Sequence, residues 1–227
     1  VEKNLNIEID WHAITVLAYG DLLEQGYSTF PIDPLEYHRP GLHILSYQQY
    51  EQLAKVAGQP LDSRFQEYIE EGFCVDGLRP GIKLIFYDEL KYRPRKDHTL
   101  FHEIGHAVCK HKKHGAWEEI VAHFYAAQIR APNAIINELK NRGYWVTKQL
   151  LMEVFGLSDE SAQKKMTYLA RFPNLHPTEY DQQIVIMFAP YLNRTYPAII
   201  SMIADEYESE ITDLREDWVY ETRRRRL

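Results

Sequence analysis

Apolar residues in this chain recur mainly at helical spacing. Between Trp11 and Gln25, residues Ile14, Leu17, Ala18 and Leu22 share one face, with Val16 beside them, and Gly26 follows as a stop. Pro31, Pro34 and Pro40 then interrupt regular structure, and Asp33 is placed to cap a short turn with Pro34 in its first position. A helix over Tyr47–Ala57 ends at Gly58, and another is expected over 61–71, with Asp62 or Ser63 near its start. Further helices are predicted over 117–127, 134–140 and 147–155. Gly156-Leu157-Ser158 makes a turn into a helix over Asp159–Arg171, with Ser158 as candidate cap. The stretches 183–189 and 191–208 are apolar-rich and predicted helical, Pro197 breaking the second. Strand signals are fewer. Ile82, Leu84 and Phe86 alternate with Lys83, Ile85 and Tyr87, the pattern of a half-buried strand over 81–87. Residues 41–46 and 73–75 are candidates to pair with it, and 88–97, charged and holding Pro94, reads as a loop. The expected fold class is α+β, predominantly helical, with a small antiparallel sheet.

The chemistry concentrates in His102-Glu103-x-x-His106. Leu100, Phe101, Ile104, Ala107 and Val108 surround it, as on a buried helix with one polar edge, and Thr99 is a candidate cap. On a helix, His102 and His106 lie one turn apart and point the same way, supplying half of a tetrahedral zinc shell. Glu103 lies about 100° round the helix, where it reaches a water on the metal's open position and serves as general base. A third ligand is offered by the next helix, where Glu119 and His123 stand at i and i+4. Glu119 is the favoured ligand, with His123 orienting a ligand by a hydrogen bond. The reverse assignment stays open, and Glu118 reads as a solvated carboxylate. One more donor would stabilise the oxyanion, and Tyr125, Tyr144, His123 and His176 are the candidates. His111 and His114 fall in a basic helix end over 110–115, and His111, five residues past His106, stands at an awkward helical angle for sharing its site.

These segments resemble, in order, those of the ImmA/IrrE-type metallopeptidases. Phe30-Pro31-Ile32-Asp33-Pro34 with Gly41-Leu42-His43-Ile44 is similar to the family's opening segment, and 82–88 to its strand before the active-site helix. Thr99-Leu100-Phe101-His102-Glu103-Ile104-Gly105-His106 is similar to its zinc motif. Glu119-Ile120-Val121-Ala122-His123-Phe124-Tyr125-Ala126-Ala127 resembles its Glu-x-x-Ala-(Asn/Asp)-x-Phe-Ala-Ala helix, and Phe155-Gly156-Leu157-Ser158 with Ala162 its helix-turn-helix-like segment. The resemblance covers roughly residues 10 to 170. His123 replaces the usual Asn or Asp, Tyr125 replaces Phe, and Gln128-Ile129-Arg130-Ala131 replaces an apolar run. The resemblance implies a gluzincin-like, cytoplasmic zinc protease whose relatives cleave or inactivate repressors of mobile elements or stress genes. It also implies a zincin-like domain over 1–132 and a C-terminal helical region over 133–227, with a helix-turn-helix-like hairpin at 147–171.

Composition narrows the setting. The chain has 227 residues and 45% hydrophobic residues, ordinary for a globular protein. Two cysteines, Cys74 and Cys109, do not make a disulfide framework and fit a reducing compartment. No signal peptide or membrane span is expected. The net charge of −7 weighs against DNA binding by the whole protein. Lys164, Lys165 and Arg171 on the second hairpin helix are offset by Asp159 and Glu160, so the hairpin reads first as a cover on the core. The tail Arg223-Arg224-Arg225-Arg226 reads as a solvated terminus. The sequence therefore points to zinc-assisted hydrolysis of a peptide bond in a protein substrate, with the strand over 81–87 expected at a sheet edge, where its backbone would hold the extended substrate. The alternative is a catalytically silent module of the same fold that binds a repressor or DNA.

Overall fold

The computed structural model describes residues 9–60, 71–77, 79–112, 115–172 and 177–200. The helix expected over 61–71 (save Glu71), everything after residue 200 including the arginine tail, His114 and His176 lie outside the described residues. The order of elements is α1 (Trp11–Gln25), β1 (Leu42–Ser46), α2 (Tyr47–Ala57), β2 (Gly72–Asp76), β3 (Lys83–Tyr87), α3 (Arg93–Val108), α4 (Ala116–Arg130), α5 (Asn133–Asn141), α6 (Lys148–Phe155), α7 (Asp159–Arg171) and α8 (Asp181–Thr195). This is a predominantly helical α+β fold.

Helix ends follow the capping chemistry of the sequence. Asp10 accepts from the Ala13 amide at the start of α1, and Gly26 closes it in the left-handed conformation at φ 66°. Ser46 and Gln49 form a reciprocal capping box at the start of α2. Thr147 and Ser158 cap α6 and α7 through the Leu150 and Ser161 amides. Helix α3, however, begins at Arg93, inside the expected loop, and Thr99 lies within it. Pro94 sits in the first turn, where its missing N–H costs no intrahelical bond. Helix α8 runs through Pro190 and stops at Thr195, two residues before Pro197.

The sheet has the order β1-β3-β2, and it is mixed rather than antiparallel. β2 pairs antiparallel with β3, Gly72 opposite Tyr87, whereas β1 pairs parallel, Leu42 opposite Lys83. The connection from β1 to β3 contains α2 and β2, long enough for the crossover that a parallel pair needs. The central place of β3 changes two expectations. It is not half-buried: Ile85, Phe86 and Tyr87 are all buried. Ile85 and Tyr87 join the main core, while Phe86 packs with Tyr47 and Phe73 on the face toward α2. Nor can β3 hold a substrate along a free edge, because its backbone is paired on both sides. The edges among the described residues are β1 and β2.

One apolar cluster runs from Ile14 to Tyr196 and includes residues of both α4 and α5, which flank Pro132. Helix α4 packs against α3 and α1. A polar network ties the α1 contact down. The Tyr125 hydroxyl donates to Asp21 Oδ2, the Tyr37 hydroxyl donates to the same oxygen at 3.1 Å, and Arg39 Nη1 lies 3.2 Å from Oδ1. Burial pushes the Asp21 carboxyl up, and the Tyr125 hydrogen bond opposes that shift. Tyr125→Phe keeps the ring but deprives Asp21 of a donor. It should lower the unfolding free energy by about 1–3 kcal/mol in urea titrations, and an unchanged midpoint would show that the network does not carry this junction.

Candidate metal centre and the cavity beside it

Helix α3 is held by its apolar back: Leu100, Phe101 and Ile104 are fully buried. At Gly105 it meets α4 closely. A Cβ there would stand 3.0 Å from Tyr125 Cδ1 and 3.2 Å from the Ala122 carbonyl oxygen, so only a hydrogen fits comfortably. This approach brings Glu119, one turn before Ala122 on α4, over the polar edge of α3.

There three side chains converge. His102 Nε2 lies 3.1 Å from His106 Nε2 and 3.1 Å from Glu119 Oε2, and His106 Nε2 lies 3.3 Å from Glu119 Oε1. Ligand atoms at ~2.0–2.1 Å around a tetrahedral ion stand ~3.3 Å apart. The spacing and the two-imidazole, one-carboxylate donor set therefore fit a single divalent metal with a fourth position open. His102, Glu103 and His106 are buried, whereas the Glu119 side chain is 37% exposed, so the cluster opens on the Glu119 side. Glu103 lies near Cys74 of β2. Burial pushes the Cys74 thiol up to about 12, and the Glu103 carboxylate adds to that shift.

His111 is a neighbour that helical geometry did not anticipate. Helix α3 ends at Val108, and Lys110 adopts a left-handed φ of 56°. The His111 amide then donates back to the His106 carbonyl at 3.0 Å and the Lys110 amide to Ala107 at 3.3 Å, the paired bonds of a Schellman turn. The turn folds His111 inward until its Nδ1 is 3.0 Å from His106 Nδ1. An angle projected along a continuing helix could not find this contact. The signal in the sequence was the polar run after Cys109, which ends the helix.

The other expected residues are distributed differently. His123 does not join the three-atom cluster; its ring lies against that of His102, with centroids 4.1 Å apart, and stacks on His98 at 5.4 Å. Tyr125 is turned into the core, its hydroxyl engaged by Asp21, and Tyr144 donates to the Pro197 carbonyl at 3.0 Å. Neither hydroxyl is available to an oxyanion in this arrangement.

Beyond His98 and His123 opens a cavity of about 950 Å³, bounded by α3, α4 and the α6–α7 hairpin. Gln128, Arg130 and Lys165 line it, and all three are buried. Burial, with Arg130 and His123 nearby, pulls His98 down to about 3. Burial alone lowers Lys165 to about 7. The folded state therefore binds fewer protons than the unfolded chain between about pH 7 and ~10.4, and stability rises with pH across that window. Lys165→Met should raise the unfolding free energy by about 1–3 kcal/mol at neutral pH. The gain should shrink as pH approaches ~10, which urea titrations at several pH values would reveal.

No curated protein matches the chain. A family model does, over a stretch that contains His102, Glu103, His106, Glu119 and most of the α6–α7 hairpin. Residues 61–167 match the model of the peptidase M78 family, described as the IrrE N-terminal-like domain, in agreement with the resemblance to the ImmA/IrrE-type metallopeptidases.

Proposed function

We propose that this chain is a zinc-dependent endopeptidase that hydrolyses a peptide bond in a specific protein substrate. The observation that carries the reading is the convergence of His102, His106 and Glu119 from two helices, with Glu103 buried beside them. The peptidase family match supports the same chemistry.

His102, His106 and Glu119 would hold the ion. When bound, zinc supplies a Lewis acid that lowers the pKa of water to about 7 and polarises a carbonyl. The protein's own groups do the rest. His111 is placed to accept from Nδ1–H of His106, which fixes the tautomer that leaves Nε2 free for metal. Glu103 takes a proton from the attacking water and returns it to the leaving amine. The edge strand β2 packs on α3, with Gly72 facing Thr99 and Cys74 near Glu103. Its outer edge offers amides and carbonyls to an extended peptide. The family resemblance supports a DNA-binding repressor of a mobile element or stress response as the substrate, and a cytoplasmic setting. Among the described residues no helix is long and apolar enough to cross a membrane. Direct DNA reading through α7 has less support, because Lys165 is buried and Lys164 pairs with Glu160 at 2.7 Å.

Glu103→Gln should retain about one zinc per chain while turnover falls by about 10²–10⁴. Glu119→Ala should lose zinc by elemental analysis. Full turnover in metal-loaded Glu103→Gln would remove the general-base role, and a wild type that takes up no zinc would leave the silent binding module in its place. Amide exchange offers a separate check on β2, whose amides should slow when an inactive variant is mixed with its substrate.

A further inference from the structure

The cavity between the metal-site helices and the α6–α7 hairpin holds polar groups that the fold does not satisfy. Lys165 is only 6% exposed, and its Nζ has no hydrogen-bond partner among the described residues. Gln128 on the opposing helix α4 is fully buried, and among the described residues neither its Oε1 nor its Nε2 has a partner. Leaving such groups buried and unpaired costs about 1–3 kcal/mol each. Methionine and leucine would fill these positions without that cost, so packing does not account for a lysine and a glutamine here.

Charge around the cavity is unbalanced in a consistent direction. Among the described residues its three carboxylates are already paired with cations: Glu71 with Arg95, Asp159 with Lys148 at 2.6 Å, and Glu160 with Lys164 at 2.7 Å. Two buried cations remain. Arg130 donates to the Gly156 carbonyl at 3.1 Å and is influenced by Asp97, which itself lies 3.5 Å from Arg93. Lys165 has the Tyr168 ring 5.6 Å away and, among the described residues, no carboxylate partner.

We propose that this cavity binds an anionic group, a carboxylate or a phosphate, whose charge is met by Lys165 and Arg130 and whose neighbouring donor or acceptor is met by the Gln128 carboxamide. The long, flexible lysine stem lets the ammonium follow the anion. Since His98 and His123 form the wall shared with the metal cluster, the occupant lies one histidine ring from His102. The same chemistry is offered by an acidic side chain of a bound peptide and by a free small anion. Binding in this cavity needs no turnover, so it stands or falls independently of the peptidase reading.

The test is calorimetric titration of the full chain at low ionic strength with inorganic phosphate and with acetyl-glutamate, acetyl-glutamine amide serving as neutral control. At least one anion should bind the wild type saturably, the neutral control should not, and Lys165→Met should weaken the anion by about 10-fold or more. If Lys165→Met does not fold, Gln128→Leu from the other wall supplies the comparison, with a weaker loss expected. Absence of saturable binding by both anions, or equal affinity in wild type and variant, would overturn the proposal. Competition then identifies the source. Displacement by a glutamate-containing peptide but not by its glutamine counterpart marks a peptide side chain, and displacement by neither marks a free small anion.

Discussion

The close approach of α3 and α4 is the constraint on which everything else rests. Gly105 lets the two backbones come together, and the carboxylate of one helix is thereby delivered to the histidines of the other. Behind this seam, Tyr125 reaches from α4 to Asp21 on α1, so the helix that supplies Glu119 is pinned from its far side. A few tenths of an ångström of slack here would be lost directly from ligand spacings of 3.1–3.3 Å. The apolar core thus does more than hold the fold; it sets the spacing of the three candidate ligand atoms.

Two kinds of buried polarity coexist in the molecule. Asp21 is satisfied by two tyrosines and an arginine, and it stiffens a junction. Lys165 Nζ and the Gln128 carboxamide find no hydrogen-bond partner among the described residues. The first kind is what a packed interior tolerates, and the second weakens the fold in which it sits. The first meets α4 at Tyr125, and the second lines the cavity to which α4 contributes Gln128.

Much of the geometry of the candidate site could be read from the sequence, because helical spacing alone puts His102 and His106 on one face and Glu119 one helix later. Helix stops at Gly26, Gly58 and Gly156 were equally legible, since each glycine takes a left-handed turn. What escaped was tertiary. Strand direction depends on which strand lies between the others, and nothing in the alternation of 81–87 says that helices will cover both of its faces. Pro94 read as a breaker because the same residue ends one helix and opens another. In the sequence Lys165 counts with Lys164 and Arg171 among cations offset by Asp159 and Glu160, because burial of a lysine on an amphipathic helix is decided by the neighbour packed upon it. The sequence favours Glu119 over His123 with the reverse left open, and the rotation of α4 against α3 brings Glu119 to the two histidines while His123 lies along His102.

The Schellman turn after α3 makes the interval between His106 and His111 a ruler. Backbone bonds, not side-chain choice, place the second ring against the first. A chain with one residue inserted or deleted between them would keep both histidines and lose their contact, because the turn would present a different side chain at that point. Here the chemistry is written in spacing as much as in residue identity, so a relative aligned without gaps through this turn would carry more meaning than one sharing the histidines alone.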